Sequence, residues 1–88
     1  MKILQTGSFS RRAKKLPPGQ QAALDKAVGH LLSHPQAGEP KRADLAGVRV
    51  YKFKLGSRLY LLAYLYDQQA PTLTLLAIGS HESDLIKG

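Results

Sequence analysis

The feature that most constrains this chain is the run VRVYKFKLGSRLYLLAYLY, Val48 to Tyr66. Two stretches rich in valine, leucine and aromatic residues flank Gly56-Ser57. A two-residue loop with glycine first suits a type II′ hairpin turn, whose first central residue needs a positive φ. If Leu55 then faces Arg58, Lys54 pairs with Leu59, Phe53 with Tyr60 and Lys52 with Leu61. Successive strand side chains point to opposite faces. Tyr51, Phe53, Leu55, Tyr60, Leu62 and Tyr64 therefore share one face, the one expected to meet helices. Lys52 and Lys54 share the other with Val50, Leu59, Leu61 and Ala63. A purely structural sheet has no need of two ammonium groups set in an apolar face.

The rest of the chain supplies partners for this hairpin. Met1 to Gln5 reads as a short strand, and Ser8 stands where it would cap a helix running to Lys15. Phe9, Ala13 and Leu16 fall near a helical period, with Arg11, Arg12, Lys14 and Lys15 on the remaining arc. Pro17 disfavours helical geometry at Leu16 and ends that helix. Pro18 opens a second one. Leu24, Ala27, Val28, Leu31 and Leu32 follow the i, i+3, i+4, i+7, i+8 spacing of one buried stripe. His34-Pro35 closes it. Pro35 to Gly47 is an extended loop, and after a turn at Asp67 to Pro71 a final strand runs from Thr72 to Ile78. The order β-α-α-β-β-β predicts an α+β fold, a mostly antiparallel curved sheet with a helical hairpin on one face.

Eighty-eight residues make a single domain, spanning 1–88. The chain has no cysteine, which removes disulfides and thiolate metal sites from consideration and suits a reducing cytoplasm. No apolar run approaches the roughly 20 residues that cross a membrane, and MKILQT is no signal-peptide core. Thirteen Lys and Arg stand against six Asp and Glu, a net charge of +7. Such a field attracts polyanions or an acidic partner.

Lys52 and Lys54 lie ~7 Å apart along one strand face, close enough to grip one phosphodiester or two adjacent ones. The competing reading is a solvated outer face whose lysines discourage edge pairing. Arg49 and Arg58 flank the hairpin, and the planar fork of Arg58 suits a phosphate. His81, just past the last strand in GSHESDLIKG, is the candidate for proton transfer, because an imidazole serves as acid or base near neutrality. Glu82 and Asp84 are placed to orient it or to cap a final turn. His30 and His34 are four apart on the second helix, but no third metal ligand is evident and HExxH is absent. No cofactor or metal is implied.

The run GEPKRADLAGVRVYKFKLGSRLYLLAY, followed by LLAIGSHE, resembles the RelE/ParE superfamily of toxins from bacterial type II toxin–antitoxin systems. The likeness extends over most of the chain and is most specific in DLAGVRVYKFKL. It implies neutralisation by a cognate antitoxin. Toxins of the RelE type enter the ribosomal A site and cut mRNA without metal, the RNA's own 2′-OH attacking to leave a 2′,3′-cyclic phosphate. Lys52 and Lys54 match two lysines of that type, which implies phosphate binding and transition-state charge for both. His81 resembles the C-terminal histidine of YafQ-type relatives, implying a general acid. Arg58 is then an RNA anchor, and Arg49, Lys41 and Arg42 contact ribosomal RNA or antitoxin. The sequence departs from the RelE pattern at Leu61 and His81, where arginines are expected, and has no C-terminal tyrosine. A ParE-type inhibitor that poisons DNA gyrase by protein contact is the alternative, as is an inactive antitoxin-binding module.

Overall fold

The computed structural model describes residues 1–40 and 47–81. In chain order it contains β1 (Lys2–Gln5), α1 (Gly7–Lys14), α2 (Pro18–Ser33), β2 (Glu39–Pro40), β3 (Val48–Leu55), β4 (Arg58–Asp67) and β5 (Thr72–Gly79). The strands form one sheet in the order β1-β5-β4-β3-β2. β1 pairs with β5 in parallel and every other pairing is antiparallel. This is the α+β architecture the sequence predicts, with one addition. The Pro35–Gly47 loop carries a two-residue strand, β2, in which Glu39 pairs with Val50 and Pro40 with Arg49.

The β3–β4 hairpin has the register that the glycine-first turn implies, from Leu55 opposite Arg58 to Val48 opposite Leu65. Gly56 has φ 65°, the positive-φ conformation that the primed hairpin turns require at their first central position. On the helix side, Leu55, Leu62, Tyr64, Leu73, Leu75 and Ile78 pack against Phe9, Leu24 and Leu31. Complete burial of a leucine such as Leu31 contributes about 1.5–3 kcal/mol. Val50, Leu61 and Ala63 form a second buried cluster on the opposite side, with Val48, Leu76 and Ala77 packed against it.

Strict alternation along β5 would place Ala77 inward with Leu73 and Leu75. Instead the register jumps, Ala63 pairing with Ala77 but Tyr64 with Leu75, so Leu76 is an extra residue and Ile78 takes the inward position. The bulge is tied to the start of α1 through Thr6, whose hydroxyl donates to the Leu76 carbonyl at 2.7 Å and accepts from the Phe9 N–H at 3.1 Å. Thr6, not Ser8, is therefore the N-cap. The helix begins one residue before Ser8, which leaves Ser8 inside the first turn.

α1 and α2 meet at a short hinge. The N–H groups of Gln20 and Gln21 both donate to the Pro17 carbonyl at 2.9 Å. The Gln21 side-chain amide donates to Leu16 O at 2.8 Å, satisfying one of the carbonyls that a helix end leaves open. Among the described residues no helix is long and apolar enough to cross a membrane.

Candidate functional site

Lys52 and Lys54 are both exposed on β3, on the face away from the helices. Lys54 pairs with Leu59 and Lys52 with Leu61, which in turn pairs with Gly79 of β5. Leu59, 48% exposed, and the buried Leu61 make the apolar floor beside the two ammonium groups. Past Gly79 the chain continues through Ser80 to His81, which is exposed, toward the end of the sheet where Leu59 and Lys54 pair. Gly79, the last residue of β5, lies on the lysine side opposite Leu61, and His81 follows two residues later. Strand geometry thus collects two exposed cations on one face, with the imidazole of His81 two residues past the end of β5. Cations so placed stabilise the charge of a phosphorane, and an imidazole can hand a proton to a departing oxygen.

Arg58 is not on that face. It sits opposite the buried Leu55, so its side chain starts from the helix side of the hairpin tip and is exposed there. Arg49 also lies on the helix side, opposite Tyr64. Its Nη1 donates to Gly38 O at 2.8 Å and to Gln36 O at 3.2 Å, a backbone-holding role the sequence did not reveal. The fully buried Tyr64 completes the same clamp. Its hydroxyl donates to Pro35 O at 2.7 Å and accepts from the Gly38 N–H at 2.9 Å. Burial pushes the Tyr64 phenol above its ordinary value, opposed by the Gly38 N–H and the nearby Arg49 charge. A buried tyrosine needs a partner for its hydroxyl, and that need is the one signal in the sequence for this clamp.

His30 and His34 do not converge on a shared point. Their rings stack at 4.8 Å between centroids, and His30 stacks in turn on Tyr51 at 5.5 Å. Tyr51 and Phe53 continue the ladder at 6.0 Å. Lys41, Arg42, Glu82 and Asp84 lie outside the described residues.

A helical hairpin laid on a five-stranded sheet, with a cationic hairpin at one end, is an arrangement shared with solved structures of RelE and ParE toxins. The RelBE2 toxin–antitoxin complex of Mycobacterium tuberculosis is similar with a TM-score of 0.70 and 30% identity, over 91% of this chain and 96% of that one. The fold also matches the intact Escherichia coli RelBE complex, at a TM-score of 0.73 and 21% identity over 92% and 96% of the two chains. A YoeB/ParE toxin from Agrobacterium tumefaciens shares it at 0.73 and 17% identity, over 92% and 99%. No curated protein sequence matches the chain. The chain belongs to the family described as ParE-like toxin of type II bacterial toxin-antitoxin system, whose sequence model matches residues 3–84.

Proposed function

We propose that this toxin inhibits translation as a ribosome-dependent, metal-independent mRNA endonuclease. The observation that supports the reading is the placement of Lys52 and Lys54 side by side, exposed, on one face of β3, with His81 two residues past Gly79, which ends β5 opposite Leu61. In the reaction the mRNA 2′-oxygen attacks the adjacent phosphorus. The O2′–P bond forms, the P–O5′ bond breaks and a 2′,3′-cyclic phosphate remains. The O2′ proton passes to solvent water, the two lysine ammonium groups neutralise charge on the non-bridging oxygens, and His81 protonates the departing O5′. Arg58, Lys41 and Arg42 supply phosphate contacts. Arg49 serves them indirectly, by holding the loop that leads to Lys41 and Arg42.

The complexes of similar toxins with their antitoxins support a cognate antitoxin as the neutralising partner of this chain. An acidic amphipathic segment would fit the mixed outer face, covering Leu59 while pairing with the lysines. The ParE-like family match favours a second reading, DNA gyrase inhibition by protein contact.

Mapping mRNA 5′ ends in a purified translation system tests the proposal, with wild type, His81→Ala and Lys52→Ala/Lys54→Ala compared. A-site cuts by the wild type that vanish in both variants are the expected result. Intact mRNA with translation unimpaired overturns it and moves gyrase inhibition, or an antitoxin-binding module without activity, to the front.

A further inference from the structure

The end of the sheet that carries Lys54 and His81 has a second cationic feature on its other side. Arg12, Lys15, Leu16, Tyr60 and Ile78 line a pocket of about 210 Å³ between the C-terminal end of α1 and the sheet. The Arg12 guanidinium is held in place by a hydrogen bond from Nη1 to the Ile78 carbonyl at 3.1 Å. Ile78 is three residues before His81, which follows the end of β5, a span of at most ~10 Å of chain. Tyr60 is adjacent to Leu59, the residue opposite Lys54, and points to the helix side. Arg58 starts from that same side, two residues before Tyr60. Arg12 and Lys15 therefore line a pocket with Tyr60 on the side of the sheet opposite the Lys52–Lys54 face, and Arg58 starts from that same side.

We infer that the Arg12–Lys15–Tyr60 pocket is a phosphate subsite for single-stranded RNA. It holds the backbone of a nucleotide flanking the one gripped by Lys52 and Lys54, so that the strand bends around the hairpin end. Two observations favour a phosphodiester over an acidic protein segment. The pocket is compact and concave, where a peptide would need an extended groove or an open strand edge. Its cations also stand ready before the ligand arrives, Lys15 exposed at the rim and Arg12 held to the Ile78 carbonyl. Tyr60 adds a donor and an aromatic face against which a flanking base can rest. The inference rests on the nuclease reading, and a binding measurement separates the two.

The probe is a fluorescent single-stranded 2′-O-methyl RNA oligonucleotide, which lacks the attacking hydroxyl and cannot be cut by this chemistry. Its affinity for the intact protein is measured by anisotropy across a salt series. Lys15→Gln should weaken binding several-fold and reduce the slope of log K against log salt by about 0.7, the loss of one single-strand phosphate contact. Arg12→Gln should do the same or more, with circular dichroism reporting whether loss of the Ile78 contact disturbs the fold. Tyr60→Phe should weaken binding without changing the slope.

Unchanged affinity and slope in Lys15→Gln overturn the subsite, as does a wild type that does not bind the probe at low salt. Loss of poly-glutamate binding in Lys15→Gln with RNA binding intact also overturns it, and assigns the pocket to an acidic protein partner. If Lys15→Gln weakens probe binding while the wild type leaves mRNA uncut on the ribosome, the nuclease reading fails and the subsite stands. If mRNA is cut and Lys15→Gln binds the probe as the wild type does, the reverse holds.

Discussion

The two halves of β3 carry the same kind of residue and use it differently. In the first half, Arg49 turns toward the helices and its guanidinium is committed to the carbonyls of Gln36 and Gly38, beside the buried Tyr64 hydroxyl. In the second half, Lys52 and Lys54 turn away from the helices and stand exposed beside Leu59. A cation on a strand is thus committed to a structural clamp or left exposed according to which face it occupies and whether a loop with open carbonyls reaches it. Charge alone does not separate the two roles. Register does.

Removing the second-half cations should break activity and spare the fold. Lys52→Ala/Lys54→Ala and, separately, His81→Ala should each lower mRNA cutting by roughly 10²–10⁴-fold, the range for losing positioned charge stabilisation or a positioned proton donor. Stability should stay within about 0.5 kcal/mol, as for exposed positions generally. A large fall in the unfolding midpoint for the lysine pair would erase the distinction between the two halves.

Perturbing the first half should do the opposite. Tyr64→Phe strands the Gly38 N–H and the Pro35 carbonyl and should cost about 1–3 kcal/mol. That is on the order of 4–8 °C in thermal midpoint per kcal/mol for a domain this small. Arg49→Ala should lose stability by a similar route, and if it instead lowered RNA affinity at unchanged stability, Arg49 would belong with the lysines. Gly38→Ala tests the same clamp sterically. An added Cβ would sit 2.8 Å from both Oη and Cε1 of Tyr64 and 3.0 Å from the Val50 backbone, so about 1–3 kcal/mol of overpacking is expected in denaturant melts.

A subtler difference concerns alkaline pH. Burial holds the folded-state phenol of Tyr64 above its reference value of 10.0. The folded state then keeps that proton more tightly than the unfolded chain, so this contribution is complete below pH 10 and declines as pH rises toward the folded value. The stability gap between wild type and Tyr64→Phe should narrow above pH 10 in denaturant titrations. A constant gap would show that the hydroxyl ionises equally easily in both states. The smallest expected effects are those of Lys41→Gln and Arg42→Gln. Each should weaken RNA binding uniformly across sequences and lower its salt dependence, and a codon-dependent loss would remove them from the phosphate contacts.

Most of the architecture was legible because it rests on local signals that agree. Gly56-Ser57 sets the hairpin register, Pro17-Pro18 separates the helices, and the Leu24–Leu32 stripe names the buried face of α2. What was not legible depends on contacts distant in sequence. The N-cap falls to Thr6 because its hydroxyl also answers the Leu76 carbonyl, 70 residues away. β2 forms because Glu39 and Pro40 are carried to the edge of β3 by the clamp on Gly38. The lysine pair was visible from alternation alone, and the same alternation puts Arg58 on the other face. The roles of Arg49 and Arg12 were hidden, since nothing in a sequence says which carbonyl a guanidinium will meet.

The extra residue at Leu76 gives β5 two phases. Up to Leu75 the odd-numbered positions look toward the helices, and from Ala77 onward they look away. Gly79, from which the chain leaves toward His81, stands on the lysine side opposite Leu61 only because it comes after that change of phase. Deleting Leu76 would restore simple alternation and turn over the face from which β5 hands the chain on to His81, with the histidine and both lysines all still present in the sequence. A one-residue length change in this strand is therefore a mutation of the site, although it alters none of the site's residues. Relatives differing only in the length of β5 should be compared by phase before they are compared by identity.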